Sequence, residues 1–351
     1  MSTDNLRITR THPLISPAVL EEELPLSESA ADLVGRSRQT IKDILWGDDP
    51  RLLVVVGPCS VHDPAAAMEY AGRLAQLAGD VAERIFCVMR VYFEKPRTVV
   101  GWKGLINDPG LDGSYQINHG LRLARRLLLD VADVGLPAGT EFLDTTCGQY
   151  YTDLVSWGAI GARTVESQIH RELASGLSMP VGVKNRTDGN VQVAIDALRA
   201  AAHKHLFPSL TKEGAPAILE TGGNPDCHLV LRGGDVPNYG AEAVAQARTL
   251  LQQAGLPEVL MVDCSHANSR KDAERQPEVA RTVCAQRAAG DGALRALMLE
   301  SHLVGGRQEL SPTLRYGQSI TDACLSFDAT RMLLLELCER LSDPVGELQP
   351  G

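Results

Sequence analysis

Eight residues able to bind or react, Cys59, Arg90, Glu141, Arg163, Lys184, Arg232, His266 and Glu300, follow or close short apolar runs in this 351-residue chain. They divide into two chemical sets. Cys59, His266 and Glu300, with Asp322 a little further on, offer a thiolate, an imidazole and carboxylates. That mixture suits one divalent ion of borderline softness (Mn, Fe, Co or Zn). It differs from structural zinc sites, which use cysteine and histidine alone. Their spacing is long, so His266 within Asp263-Cys264-Ser265-His266 reads equally as a hydrogen-bonding side chain. The second set is cationic: Arg90, Arg163, Lys184 and Arg232, joined by Lys95 and Arg97. Like charges gathered in one mouth repel unless anions lie between them. Guanidinium forks match phosphate and carboxylate, so small, multiply anionic ligands are expected. The competing reading pairs one or two of these cations with buried acids. Each residue alone fits a satisfied core or loop position; eight on one rim do not.

A rim requires a barrel. Runs 52–56 and 85–89 are apolar on both faces, as buried parallel strands are. Shorter strands are expected at 140–143, 159–161, 181–183, 228–231, 259–262 and 294–299. Helices are expected at 65–77, 117–129, 149–156, 167–173, 191–202, 241–253, 277–288 and 322–341. Asp63-Pro64 supplies an N-cap and a first-turn proline to the first of these. Eight strands alternating with helices define an α/β fold, a (β/α)8 TIM barrel, whose chemistry sits at the C-terminal strand ends. Residues 205–210 and 217–221 flank Lys212-Glu213-Gly214 and read as a β-hairpin inserted between the fifth helix and the sixth strand. The organisation expected is an N-terminal extension over 1–50, with a helix at 30–45, then a barrel over 51–345 carrying the hairpin at 204–222.

Composition narrows the function. A formal charge of −10 argues against general affinity for nucleic acid or anionic membranes. No apolar run reaches the ~18 residues of a membrane span. Eight cysteines without a C-x-x-C pair, and a polar N-terminus, point to a reducing, cytoplasmic setting. The absence of a Walker loop or G-x-G-x-x-G fingerprint argues against nucleotide chemistry.

Several longer stretches carry a resemblance. Gly57-Pro58-Cys59-Ser60-Val61-His62-Asp63, Arg90 through Thr98 (RVYFEKPRT), Gly101-Trp102-Lys103-Gly104-Leu105 and Gly158 through Thr164 (GAIGART) resemble motifs of 3-deoxy-D-arabino-heptulosonate 7-phosphate (DAHP) synthases. So do Leu231-Arg232-Gly233-Gly234, Asp263 through Asn268 (DCSHAN) and Ser319 through Cys324 (SITDAC). The likeness spans essentially the whole chain and is to the type I alpha subgroup. It implies metal-dependent condensation of phosphoenolpyruvate with erythrose 4-phosphate, the entry step of the shikimate pathway. It implies that Arg90, Lys95, Arg163, Lys184 and Arg232 hold phosphoenolpyruvate, with backbone near Glu141 and Ala162. Arg97 and Thr98 take the aldose phosphate. Cys59, His266, Glu300 and Asp322 bind the metal, and Lys95 or a metal-bound water protonates the new alkoxide. A homodimer or homotetramer is implied.

The resemblance also implies a remote aromatic amino-acid site at Asn5, Gly148, Gln149, Leu177, Ser178, Phe207, Ser209 and Leu219. Gly148, where phenylalanine- and tyrosine-sensitive forms usually carry proline, is similar to the tryptophan-sensitive form. Asn5 stands where the phenylalanine-sensitive form has aspartate. A sharper departure is Asn185-Arg186-Thr187-Asp188-Gly189, since the family usually has glycine at 186. Glycine often marks a backbone shape that a Cβ disfavours, so Arg186 is either a tolerated loop change or a sign of altered substrate handling in a specialised paralogue. Two other readings remain: a Schiff-base aldolase with Lys184 as nucleophile, and a degenerate barrel acting as a regulatory partner.

Overall fold

In the computed structural model, which describes residues 3–97 and 99–342, two helices precede the first strand. They are α1 (Pro17–Glu23) and α2 (Glu28–Trp46), followed by β1 (Leu52–Gly57), α3 (Pro64–Asp80), β2 (Ile85–Arg90), α4 (Ile117–Asp133), β3 (Ala138–Glu141) and β4 (Trp157–Ile160). Next come α5 (Gln168–Gly176), β5 (Val181–Lys184), α6 (Gln192–Ala201) and the antiparallel hairpin of β6 (Leu206–Leu210) and β7 (Pro216–Glu220). The chain continues through β8 (Cys227–Leu231), α7 (Ala241–Gln253), β9 (Leu260–Asp263), α8 (Gln276–Ala288) and β10 (Leu294–His302). Short strands β11 (Val304–Arg307), β12 (Gln318–Ser319) and β13 (Leu325–Ser326) lead into α9 (Phe327–Ser342).

Eight parallel strands close a ring in the order β1-β2-β3-β4-β5-β8-β9-β10, and β1 pairs back onto β10 from Leu53↔Ala296 to Gly57↔Glu300. Sequence-derived positions lie close to these elements, and the hairpin falls where expected. Three differ. The expected helix at 149–156 is instead two 3-10 turns, Cys147–Tyr150 and Thr152–Leu154. Gly148, a weak helix former, lies within the first, and Asp144 Oδ1 accepts from the N–H groups of Thr146 and Cys147, capping a tight turn. The strand expected at 140–143 ends at Glu141, so Phe142 and Leu143 belong to the loop. The last helix begins at Phe327, because 322–326 first adds β13 to the edge of β10.

The extension packs as part of the barrel. Ile41, Ile44 and Leu45 of α2 join inward-facing Leu53, Val55, Val88, Trp157, Met261 and Met298 in one buried cluster. Removing apolar area of this kind from water stabilises by about 25 cal/mol per Å², and here it closes the N-terminal end of the ring. Gly182 permits the filling, since a Cβ there would lie 2.4 Å from the Trp157 ring.

Trp157 Nε1 donates to Nε2 of buried His228 at 3.3 Å. Burial pushes the His228 imidazole down to about 4. The folded protein therefore keeps His228 neutral, while the unfolded chain takes up a proton below its ordinary value of ~6.5. Stability should be undiminished by this group above about pH 6.5 and fall by about 3 kcal/mol as pH drops towards 4. Urea unfolding across that window should show a limb that His228→Gln flattens.

Candidate active site at the C-terminal end of the barrel

The C-terminal strand ends surround a cavity of about 1040 Å³. Arg90, Glu141, Arg163, Lys184, Arg232 and Glu300 all line it, as do Lys95, Arg97, Ala162, His266 and Asp322. Thr98 lies outside the described residues. Thus eleven of the expected substrate and metal residues face one space, and Cys59 reaches its edge through Lys95 and Asp322.

Two cations are committed to buried acids. Arg90, 1% exposed, donates to Glu300 Oε1 at 2.9 Å and to the carbonyls of Pro58 and Cys59, with its guanidinium 3.5 Å from the Tyr92 ring centroid. Lys184 Nζ lies 2.9 Å from Asp263 Oδ2. Arg97, Arg163 and Arg232 have no carboxylate partner among the described residues. They bond instead to carbonyls: Arg97 Nε to Trp102, Arg163 Nη1 to Pro96, and Arg232 Nη1 to Thr187 and Gly233. Burial holds the Arg232 guanidinium below its ordinary range, with Arg163 adding to the effect. These cations retain full capacity for an anion.

The acidic and thiol groups gather opposite. Ligand atoms of Cys59, Glu300 and Asp322 lie within 4.8 Å of one another. His266 meets this trio through Glu300, its Nε2 being 3.9 Å from Oε1. Its Nδ1 is engaged by Asp263 Oδ2 at 2.9 Å and Ser265 Oγ at 2.6 Å, which leaves Nε2 as the ring atom for a ligand. Carboxylate-held imidazoles of this form are the usual outer support of a metal-binding histidine. His266 is also held at φ 54, a conformation that costs a non-glycine residue energy and recurs at functional sites.

Cys59 donates to Asp322 Oδ2 at 3.4 Å and accepts from Lys95 Nζ at 3.0 Å. Burial, reinforced by Glu300 and partly offset by Lys95, pushes its thiol up to about 12. A cation would have to displace that proton, since the thiolate is the metal-binding form. The donor set of thiol, imidazole and two carboxylates therefore fits one divalent ion.

Other site groups were less visible in the sequence. Asp263 sits inside a matched motif, but only the fold shows that it touches both Lys184 and His266. Burial would raise its carboxyl, yet the charges of His266 and Lys184 hold it well below the usual range. Glu94 also lines the cavity, and burial pushes its carboxyl up to about 7. Lys271 lines it from a left-handed conformation at φ 61. No sequence pattern singles out that residue.

The remote residues fall into two groups. The carbonyl of Gln149 accepts from Lys212 Nζ at 2.5 Å, while Lys212 also pairs with Glu21 and its own carbonyl accepts from Ala18 N. Hairpin tip, α1 and the 147–150 turn thus meet. Phe207 faces Leu219 across the hairpin, and Ser209 pairs with Ala217; Phe207 is buried and the other three are half-buried. At the hairpin base Ser175 Oγ and Thr221 Oγ1 are 2.7 Å apart, near buried Leu177 and exposed Ser178. Gly148 packs on Phe142. Asn5 is exposed and bonds to its neighbour Asp4.

A closed parallel barrel with a cation-lined cavity and a thiol–imidazole–carboxylate cluster defines a class: (β/α)8 barrels whose C-terminal strand ends set anion-matching side chains beside a group of potential metal ligands. The family is equally plain. The family model described as "DAHP synthetase I family" matches residues 23–335, and the chain belongs to that family. It is 56% identical over 336 residues to the Phe-sensitive phospho-2-dehydro-3-deoxyheptonate aldolase of Escherichia coli (strain K12), covering 95% of this chain and 96% of the relative. It is 53% identical over 337 residues to the Trp-sensitive enzyme of the same organism, covering 95% and 97%. Among solved structures, the phospho-2-dehydro-3-deoxyheptonate aldolase of Francisella tularensis SCHU S4 superposes with a TM-score of 0.94 at 48% identity, covering 96% of this chain and 99% of that one.

Proposed function

We infer that this chain is a DAHP synthase, condensing phosphoenolpyruvate with erythrose 4-phosphate and water to give DAHP and phosphate at the entry of aromatic biosynthesis. The observation that carries the reading is the single cavity that presents carbonyl-anchored, carboxylate-free arginines to one side and the Cys59, Glu300 and Asp322 cluster to the other. Arg163, Arg232 and Lys184, with Arg90 and Lys95, hold phosphoenolpyruvate beside Glu141 and Ala162; Arg97 and Thr98 take the aldose phosphate. Cys59, His266, Glu300 and Asp322 hold one divalent ion (Mn, Fe, Co or Zn). The chemistry that such an ion supplies when bound is Lewis acidity towards the aldehyde oxygen.

The terminal carbon of phosphoenolpyruvate then bonds to the aldehyde carbon, water adds at the former enol carbon, and that carbon's bond to the phosphate oxygen breaks. The cationic wall holds the two substrates in a reactive arrangement. Lys95, whose Nζ is 3.0 Å from Cys59 Sγ and 3.8 Å from Asp322, is placed to deliver a proton to the new alkoxide. Lys184 is badly placed as a Schiff-base nucleophile, because its ammonium is buried against Asp263 and attack needs the neutral amine. Phosphate release from phosphoenolpyruvate, measured over a panel of aldose phosphates with and without chelator, tests the reading. Erythrose 4-phosphate should be the best acceptor, and chelation should abolish turnover. Trapping by borohydride with activity surviving chelation would replace it with the Schiff-base mechanism.

The effector of the remote site is tryptophan, on the strength of Gly148: this position carries no proline ring. Calorimetry with the three aromatic amino acids should show tryptophan binding tightest, and Gly148→Pro should weaken it about tenfold, a loss of ~1.4 kcal/mol. Tighter phenylalanine or tyrosine binding would refute the assignment. The protein works as a homodimer or homotetramer; exposed Leu206 and Ile218 on the outer hairpin face support self-association, which sedimentation velocity measures directly.

A further inference from the structure

The mouth is framed by loops, and a sequence of polar contacts runs from one to the next. Arg163, in the loop after β4, donates to the carbonyl of Pro96 in the loop after β2 at 2.7 Å. Three residues on, Glu166 Oε1 accepts from Arg186 Nη1 at 3.0 Å, which crosses to the loop after β5. Within that loop Arg186 also grips Asp188, its Nε lying 3.0 Å from both carboxylate oxygens. Asp188 in turn accepts from Asn190 N at 3.0 Å, and the turn closes through Gly189 N donating to the Arg186 carbonyl at 2.9 Å. Gly189, at φ 99, packs against Gly234 so closely that a Cβ on Gly234 would lie 2.2 Å from its nitrogen. Between them the Thr187 carbonyl accepts from Arg232 at 3.4 Å.

We propose that Arg186 is a positioning residue, tying the loop after β4 to the loop after β5 so that Arg163 and Arg232 are held at a fixed separation for phosphoenolpyruvate. The proposal rests on the DAHP synthase reading for the identity of the ligand and on geometry for the tie itself. Arg186 does not line the cavity, whereas the neighbouring Thr187 does. Its charge is matched by two carboxylates on the outside of the loops, so it adds no further cation for substrate. Nor does it strain the backbone. Arg186 is absent from the residues of positive φ, so a side chain is tolerated where the family usually has glycine. What the side chain adds is a cross-link between two loops that glycine could not make.

Because the pair is exposed, it contributes little to global stability, and the melting temperature should hardly move. Its effect should appear in substrate affinity. Arg186→Gln keeps the Cβ and part of the aliphatic stem but removes the guanidinium and its charge; Glu166→Gln removes the partner's charge. Each should raise KM for phosphoenolpyruvate about three- to tenfold with kcat within about twofold of wild type. The double variant should be no worse than either single change. Arg186→Lys should recover only part of the loss, since it lacks the planar fork. The difference from wild type should shrink in 0.5 M KCl, where exposed charges are screened. Amide hydrogen exchange, which needs no turnover, should speed up across 161–167 and 185–191 in both single variants. Unchanged exchange and unchanged KM in Arg186→Gln and Glu166→Gln would overturn the proposal. Faster exchange in a protein whose wild type releases no phosphate would keep the loop tie and overturn the catalytic reading instead.

Discussion

Glu300→Gln should lower phosphate release at least a thousandfold and cost about 3 kcal/mol of stability. Both losses come from one carboxylate. Glu300 is 1% exposed and gives one oxygen to Arg90 at 2.9 Å. It also stands in the trio with Cys59 and Asp322. An amide of the same shape keeps the packing but removes the charge that compensates Arg90. A guanidinium so buried, left with carbonyls, the Met298 sulfur and the Tyr92 ring, cannot shed its proton. Breaking one half of a buried pair costs several times more than the pair contributes intact. The same change weakens any ion held beside Cys59. Urea unfolding, metal analysis and phosphate release together check the claim. A variant that retains a tenth of wild-type activity would show that Glu300 is not a ligand.

Asp263→Asn should be nearly as damaging, by a different route. Asp263 joins Lys184 and His266 through one oxygen, while the other accepts from Ser265. Removal of its charge strands the Lys184 ammonium and frees the imidazole to rotate, so activity should fall about a hundredfold or more. The stability change should depend on pH with a definite sign. Asp263 is held ionised well below the usual carboxylate range, against its burial, by His266 and Lys184. Its contribution is therefore complete above about pH 4 and declines as pH falls towards its folded value. Wild type and variant should differ by about 3 kcal/mol at pH 7 and converge in strong acid. A constant difference from pH 7 to pH 2 would remove the carboxylate from this account.

The architecture was legible because its signals are local. Short, β-branched apolar runs such as Leu52–Val56 read as strands covered on both faces, and a polar residue at or just past the end of each marks the rim. The third unit was not legible, because whether Cys147–Leu154 coils as an α-helix or as tight turns depends on Asp144 capping and on the α1 and hairpin contacts it must meet. At the site, the gathering of these residues around one cavity could be read, but their pairing could not. Arg90 and Arg163 look alike in the sequence, yet one is locked to Glu300 and the other is open to a ligand. That difference is made by packing between residues more than a hundred positions apart. Arg186 shows the same limit. Standing where the resemblance places glycine, it raised the question of backbone strain; its ordinary φ answers that, and only the fold supplies its partners Glu166 and Asp188.

Where the ring closes has a bearing on biogenesis. Gly57, two residues before Cys59, registers directly with Glu300, so the first and last strands of the ring meet at the thiol–carboxylate cluster, and Asp322 follows only after both. On a ribosome these groups are made far apart in time. A growing or truncated chain could therefore offer a stray thiol or a stray carboxylate, but no chelate. If the proposed divalent ion binds here, its capture would wait until the circle is complete, and loading would mark finished folding.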